Sequence, residues 1–85
     1  MKEIRWNPLK SARLKMIRGM SFEDLIGQRV VKIRRHPQKP NQDVMIFEIA
    51  GYLWIVPFVE DERGFFLKTL YQSRKYTKLY KEGKL

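Results

Sequence analysis

Asp43-Val44-Met45-Ile46-Phe47-Glu48-Ile49-Ala50-Gly51-Tyr52-Leu53-Trp54-Ile55-Val56-Pro57-Phe58-Val59 is the stretch that decides the fold class. Its halves are rich in β-branched and aromatic residues and meet at Gly51, so they read as two strands, Asp43 to Ala50 and Tyr52 to Val59, joined by a tight hairpin. A membrane-spanning helix is the rival interpretation of so apolar a run. Glu48, Gly51 and Pro57 interrupt it, and it falls short of the ~20 residues a spanning helix needs. Pro57 cannot donate to a ladder, which predicts an edge or a bulge near the end of the second strand.

Outward from the hairpin, Glu60-Asp61-Glu62-Arg63-Gly64 is a polar turn, and Phe65 to Tyr71 is a further strand. On the other side, Arg29 to His36 alternates, with Val31 and Ile33 on one face and Lys32, Arg34 and His36 on the other. That is strand periodicity with a basic outer row, ended by Pro37, Pro40 and Asn41. Helices flank the strands. Asn7-Pro8 starts one, because Asn caps free N–H groups and Pro fits the first helical position, and it should run from Pro8 to Arg18 and stop at Gly19. Leu9, Ala12 and Met16 form an apolar stripe on it, with Leu14 and Ile17 on a neighbouring sector. Ser21, with Asp24 three residues on, caps a second short helix that stops at Gly27. Ser73 caps a last helix in which Tyr76, Leu79 and Tyr80 share one face, and Lys75, Lys78 and Glu82 another. The sum is an α+β fold, an antiparallel sheet of about four strands packed against N-terminal and C-terminal helices that cover one sheet face, in two layers.

With 85 residues there is room for one domain, 1–85, and one core. A hydrophobic fraction of 44% and an aromatic fraction of 13% suffice for a packed globule despite 32% charged residues. The net charge of +9 gives a field that draws polyanions: nucleic acid first, then an acidic protein, with a membrane the weakest choice. The opening Met1-Lys2-Glu3-Ile4-Arg5-Trp6 lacks the apolar core and small-residue cleavage site of a secretory signal, which predicts a cytoplasmic location. Without cysteine there is no disulfide, no thiolate nucleophile and no cysteine-based zinc site.

Three segments carry a resemblance: Arg5-Trp6-Asn7-Pro8-Leu9-Lys10, Arg18-Gly19-Met20-Ser21-Phe22-Glu23, and Lys68-Thr69-Leu70-Tyr71-Gln72-Ser73-Arg74. In order and spread they resemble the BrnT family of toxins, whose pattern has an early Trp-Asp with a Lys three residues on, a Lys-His-Gly-Val-Ser-Phe-Glu junction, and a closing strand into a Ser-Ala-Arg helix start. The resemblance implies a RelE-like fold, metal-independent endoribonuclease activity that inhibits growth, and neutralisation by a ribbon-helix-helix antitoxin that also binds operator DNA. Asn7 stands where the family has Asp, and Arg18 where it has His. An arginine the family carries early in the middle strand has no counterpart near Asp43 or Val44.

Metal-free RNA cleavage requires removing a proton from the 2′-hydroxyl or a water, offsetting phosphorane charge and protonating the leaving 5′-oxygen. RelE-like toxins do much of this with Lys, Arg and Tyr, so the resemblance nominates Lys10 and Arg74, each at a helix start. His36 is the sole histidine, whose unperturbed pKa lies near neutrality; it is a candidate acid or base, or a surface residue at a strand end. Tyr71 could position a phosphate or stack on a base, or simply pack on the core. Arg18, Lys32, Arg34, Lys68 and Lys75 are the candidate RNA-binding cations. A basic strand row can equally be a solvated face, and Tyr52 or Trp54 could stack a base, although Trp54 reads better as core. The acidic turn at Glu60 to Glu62 reads as solvated loop, and no metal or cofactor is expected. The expected partners are therefore RNA and the cognate antitoxin, with operator DNA reached only through the antitoxin. The alternative is a non-catalytic nucleic-acid-binding module on the same scaffold.

Overall fold

The strand that organises the molecule is β4 (Tyr52–Asp61), the second arm of the hairpin; the computed structural model of the protein describes residues 3–35 and 42–85. Along one edge of β4 lies β3 (Asp43–Ile49), antiparallel, with Asp43 opposite Phe58 and Ile49 opposite Tyr52. Beyond β3 runs β2 (Arg29–Arg35), also antiparallel. The other edge of β4 is shared: β5 (Gly64–Leu67) pairs with Phe58 to Asp61, and β6 (Tyr71–Gln72) with Trp54 and Ile55. Outside β5, β1 (Glu3–Arg5) runs parallel to it.

The described sheet is therefore mixed and six-stranded, in the order β1-β5-β4-β3-β2 with β6 beside β4, where an antiparallel sheet of about four strands was expected. Both differences have local causes. Three residues are too few for β1 to display a period. Its place depends on Gly64 (φ 139°), where a Cβ would fall on the Glu3 backbone, and on Arg5 Nη2, which donates to both Asp61 carboxylate oxygens at 2.6 and 2.8 Å.

The second cause is Pro57, which lies in a central strand and not at an edge. Its carbonyl accepts from Lys68 N at 2.8 Å, so its missing N–H faces the edge shared by β5 and β6. The expected strand from Phe65 to Tyr71 breaks there: pairing stops at Leu67, skips Lys68, Thr69 and Leu70, and resumes at Tyr71.

Alternation along the hairpin sends Met45, Phe47, Trp54, Val56 and Phe58 to one face, and Val44, Ile46, Leu53 and Ile55 to the other. Both sets are buried, as a run with almost no polar residue requires. The helices accordingly occupy both faces, making three layers in place of the expected two. α1 (Pro8–Arg18) and α2 (Phe22–Ile26) cover the first set through Leu14, Phe22 and Leu25. α3 (Arg74–Lys81) covers the second, which Tyr71 of β6 and Tyr76 and Tyr80 of α3 flank.

The helix boundaries follow the capping chemistry of the sequence. Asn7 Oδ1 accepts from the N–H groups of Leu9 and Lys10, Gly19 closes α1 at φ 75°, and Ser21 and Asp24 form a reciprocal capping box on α2. The inward face of α1 differs from the expected one, whereas Tyr76 and Tyr80 of α3 pack on the sheet side as expected. In α1 the residues turned inward are Ser11 and Leu14, whereas Leu9 and Met16 are 83% and 87% exposed. In α3 the buried residue is Thr77: its Oγ1 accepts from Leu53 N at 2.9 Å and donates to the Ser73 carbonyl at 2.6 Å.

A bulge between Val30 and Lys32 separates Val31 from Ile33. Val31 packs beside the α3-side cluster, and Ile33 stands exposed opposite Met45 on the other face. His36, Pro37, Pro40 and Asn41, and with them the expected end of this strand, lie outside the described residues.

Candidate nucleic-acid interface

Two basic grooves emerge from this architecture, one on each side of the sheet. The first belongs to α1, which is fastened on its inner side. Ser11 Oγ accepts from Phe22 N at 3.0 Å and donates to a Glu23 carboxylate oxygen, and Lys15 Nζ donates to Asp24 at 2.7 Å. That bond, with the Ser21 backbone and side-chain donors, holds the Asp24 carboxyl down at about 2. With this side of the helix committed, Lys10, Arg13 and Ile17 follow one another at three- and four-residue spacing along a groove of about 670 Å³.

The far rim of that groove is Thr69, in the link that Pro57 forces between β5 and β6. Arg18 spans the two sides, its Nη1 donating to the Leu70 carbonyl and lying 3.5 Å from Thr69 Oγ1. No carboxylate lines the groove, and Lys10 and Arg13 have no ion-pair partner among the described residues. Asn7, whose side chain caps α1, Leu9 and Leu14 complete the wall.

The second groove, of about 510 Å³, lies along α3 and is lined by Tyr52, Arg74, Thr77, Lys78, Lys81 and Glu82. Tyr52 is the first residue of β4, set beside α3 by a turn in which Ala50 and Gly51 both have positive φ, 53° and 82°. Two positive values in succession are what a two-residue hairpin turn of type I′ needs. Lys81 Nζ stands 6.0 Å from the centre of the Tyr52 ring.

Of the residues nominated by sequence, Lys10 and Arg18 share the α1 groove, and Arg74 lies in the α3 groove. Lys10 and Arg74 are thus not brought together. Tyr71 is half-buried against the Val44, Ile46, Leu53 and Ile55 cluster. Burial, and then Tyr76, push its phenol pKa up, while the Arg18 cation acts in the opposite sense. A phenol so placed keeps its proton: it can donate a hydrogen bond and is a poor base.

Lys32 and Arg34 are opposite Ile46 and Val44 and so face the α3 side, with Arg34 Cζ 5.5 Å from the centre of the Tyr76 ring. Lys68, in the β5–β6 link, sits over Phe66 at 5.6 Å, and Lys75 is exposed in the first turn of α3. His36 lies outside the described residues.

Arg13, Lys78 and Lys81 were not nominated as site residues: Lys78 was read only as part of a polar helix face with Lys75 and Glu82, and Arg13 and Lys81 were passed over in favour of apolar periodicity. The cationic periodicity, Lys10-Arg13 and Arg74-Lys78-Lys81, was the available signal. Trp54 is core, 6% exposed, whereas Tyr52, at 38%, keeps part of its ring in solvent. Among the described residues no three His, Cys, Asp or Glu side chains are grouped to hold a metal ion, and no helix is long and apolar enough to cross a membrane. Compared with known proteins, the chain matches no protein-family model, no curated protein and no solved structure.

Proposed function

We propose that this protein is an RNA-acting toxin of the BrnT type, working in the cytoplasm and neutralised by a ribbon-helix-helix antitoxin through which alone it reaches operator DNA. The observation that carries the reading is the α1 groove, where Lys10, Arg13 and Arg18 stand together with no carboxylate among the lining residues, in a chain of net charge +9. An RNA phosphate in that groove would meet the compact charge of Lys10 and the planar forks of two arginines. Arg18 is already positioned by the Leu70 carbonyl, which lowers the entropic cost of binding.

In cleavage the Lys10 ammonium protonates the leaving 5′-oxygen, and Arg13 and Arg18 offset the charge that builds on the phosphorane. The groove lining holds neither histidine nor carboxylate, so the 2′-hydroxyl proton passes to solvent water or to a side chain outside the lining. This feature favours a second reading, a binding module that retains RNA without cutting it. His36 is the one histidine that could serve as acceptor.

Induced expression of wild type, Lys10→Ala/Arg13→Ala, His36→Ala and Arg74→Ala, followed by growth and integrity of total RNA, tests the proposal. Growth arrest with RNA breakdown, abolished in the folded double variant, is the expected result. Normal growth and intact RNA, together with no RNA retention by the purified protein, would overturn it. Intact RNA bound in a salt-dependent manner selects the module reading. The double variant should then lower the slope of log affinity against log salt by about 1.4, since each single-strand phosphate that a cation neutralises adds about 0.7 to it.

A further inference from the structure

The α3 groove takes no part in the site just described, and its construction differs. Arg74, Lys78 and Lys81 recur at i, i+4 and i+7, so one side of α3 carries a cationic row about 10 Å long. Facing it is the partly exposed ring of Tyr52. Glu82 is the single carboxylate of the lining, and it stands 3.8 Å from Lys84 Nζ, so the three cations of the row are left without an acidic partner among the described residues.

Row and ring are held in register by two hydrogen bonds to the Leu53 backbone. Ser73 N donates to the Leu53 carbonyl at 3.0 Å, and Leu53 N donates to Thr77 Oγ1 at 2.9 Å, so the bonded residues adjoin Tyr52 on the strand and Arg74 and Lys78 on the helix. An acidic peptide would satisfy the cations and leave the tyrosine face unused. A nucleotide uses both, through its phosphate and the π-face of its base. Only an unstacked base can reach a side-chain ring, which selects a single strand over a duplex.

We propose that the α3 groove is a second subsite for single-stranded RNA, in which one base stacks on Tyr52 and the adjoining phosphates lie along Arg74 and Lys78. The inference rests on the RNA reading above and adds to it a base-sensing contact on the opposite side of the sheet. Lys81, whose Nζ stands 6.0 Å from the ring centre, continues the cationic row past Tyr52. The subsite is sequence-tolerant, because every base has a π-face.

The test is fluorescence anisotropy with a 5′-labelled 12-nucleotide oligouridylate and an abasic oligomer of the same length, on wild type, Tyr52→Ala, Tyr52→Phe and Lys78→Ala/Lys81→Ala, each checked by thermal melting. Wild type should bind the base-containing strand about 5- to 150-fold more tightly than the abasic one, as expected for one stacked base. Tyr52→Ala should erase that ratio and Tyr52→Phe should keep it, while the lysine pair should weaken both strands alike.

Ultraviolet crosslinking of wild type to the oligouridylate needs no substitution and should label the peptide that contains Tyr52. Wild type that fails to distinguish the two strands, a Tyr52→Ala protein that still does, or crosslinks confined to other peptides would overturn the inference. So would polyglutamate of matched charge competing as well as RNA, since that assigns the groove to an acidic protein. RNA binding abolished in Lys10→Ala/Arg13→Ala with no effect at Tyr52 removes this subsite and leaves the proposed function standing. No RNA retention by any of these proteins removes both.

Discussion

On one side of the sheet, α1 and α2 close over Met45, Phe47, Trp54, Val56 and Phe58 with Leu14, Phe22 and Leu25, a dense apolar layer in which Phe22 has no exposed surface. On the other side, α3 closes over four aliphatic residues, and Tyr71, Tyr76 and Tyr80 flank that smaller cluster half-buried. The first side meets the sheet through burial, the hydrogen bonds of Ser11 and Lys15 running from α1 to α2 and not to a strand, and its helix carries exposed Leu9, Met16 and Ile17 beside its cations. The second is held by directed hydrogen bonds from Ser73 and Thr77 to one residue of β4. Burial tolerates a variable outer surface, whereas hydrogen bonds fix a helix in rotation and translation. The two basic grooves therefore differ in character: the α1 groove has an apolar rim, and the α3 groove has cations and a ring in a set relation.

Substitution of the most deeply buried aromatic is the largest expected effect and the sharpest way to break this contrast. Phe22→Ala should cost about 3–5 kcal/mol in urea unfolding, the range for a large aromatic removed from a core. A loss below that of the substitution considered next would reverse the ranking of the two sides. On the α3 side, Thr77→Val keeps the shape and removes the acceptor of Leu53 N, leaving a buried donor unpaired. We expect a loss of about 1–3 kcal/mol, with Thr77→Ser close to wild type. If valine matched threonine, hydrogen bonding would not be what holds α3.

Acid should separate the sides in order. Asp24 links α2 to Lys15 of α1, and its carboxyl is held at about 2, below its ordinary 3.8, by Lys15 first and Ser21 second. A depressed folded pKa contributes stability that is fully present above 3.8 and is lost as pH falls towards 2. Amide exchange should therefore show α2 losing protection across that window before α3 does. Lys15→Ala should flatten the difference. Simultaneous loss in both helices would mean the Asp24 contact carries no local stability.

Much of this architecture was legible in residue types that act locally. Asn7-Pro8, Gly19, Ser21 with Asp24, and Ser73 mark helix ends because each satisfies or terminates a backbone group within a few residues, and the described helices begin and end there. The hairpin was legible too, since β-branched and aromatic runs about Gly51 need no distant partner to be recognised. The candidate site was legible only in part: Lys10, Arg18 and Arg74 were nominated and Tyr52 was named as a ring that could stack a base, while Arg13, Lys78 and Lys81 take their places through the grooves.

What tertiary structure alone decided depends on contacts between residues far apart in the chain. β1 exists because Gly64 admits the Glu3 backbone and Asp61 holds Arg5. Pro57 was read locally as an edge or a bulge; it lies in a central strand, where Val56 and Pro57 face three residues, Lys68 to Leu70, and this irregularity creates the Thr69 rim that Arg18 reaches. Ser11 and Thr77, polar and inconspicuous in sequence, became inward-facing because each finds its hydrogen-bond partner in another element. Periodicity records which side chains avoid water. It does not record which backbone donor waits across the fold, and that is why the helix ends and the tyrosine face of α3 could be read from the chain while the inward face of α1 and the grooves could not.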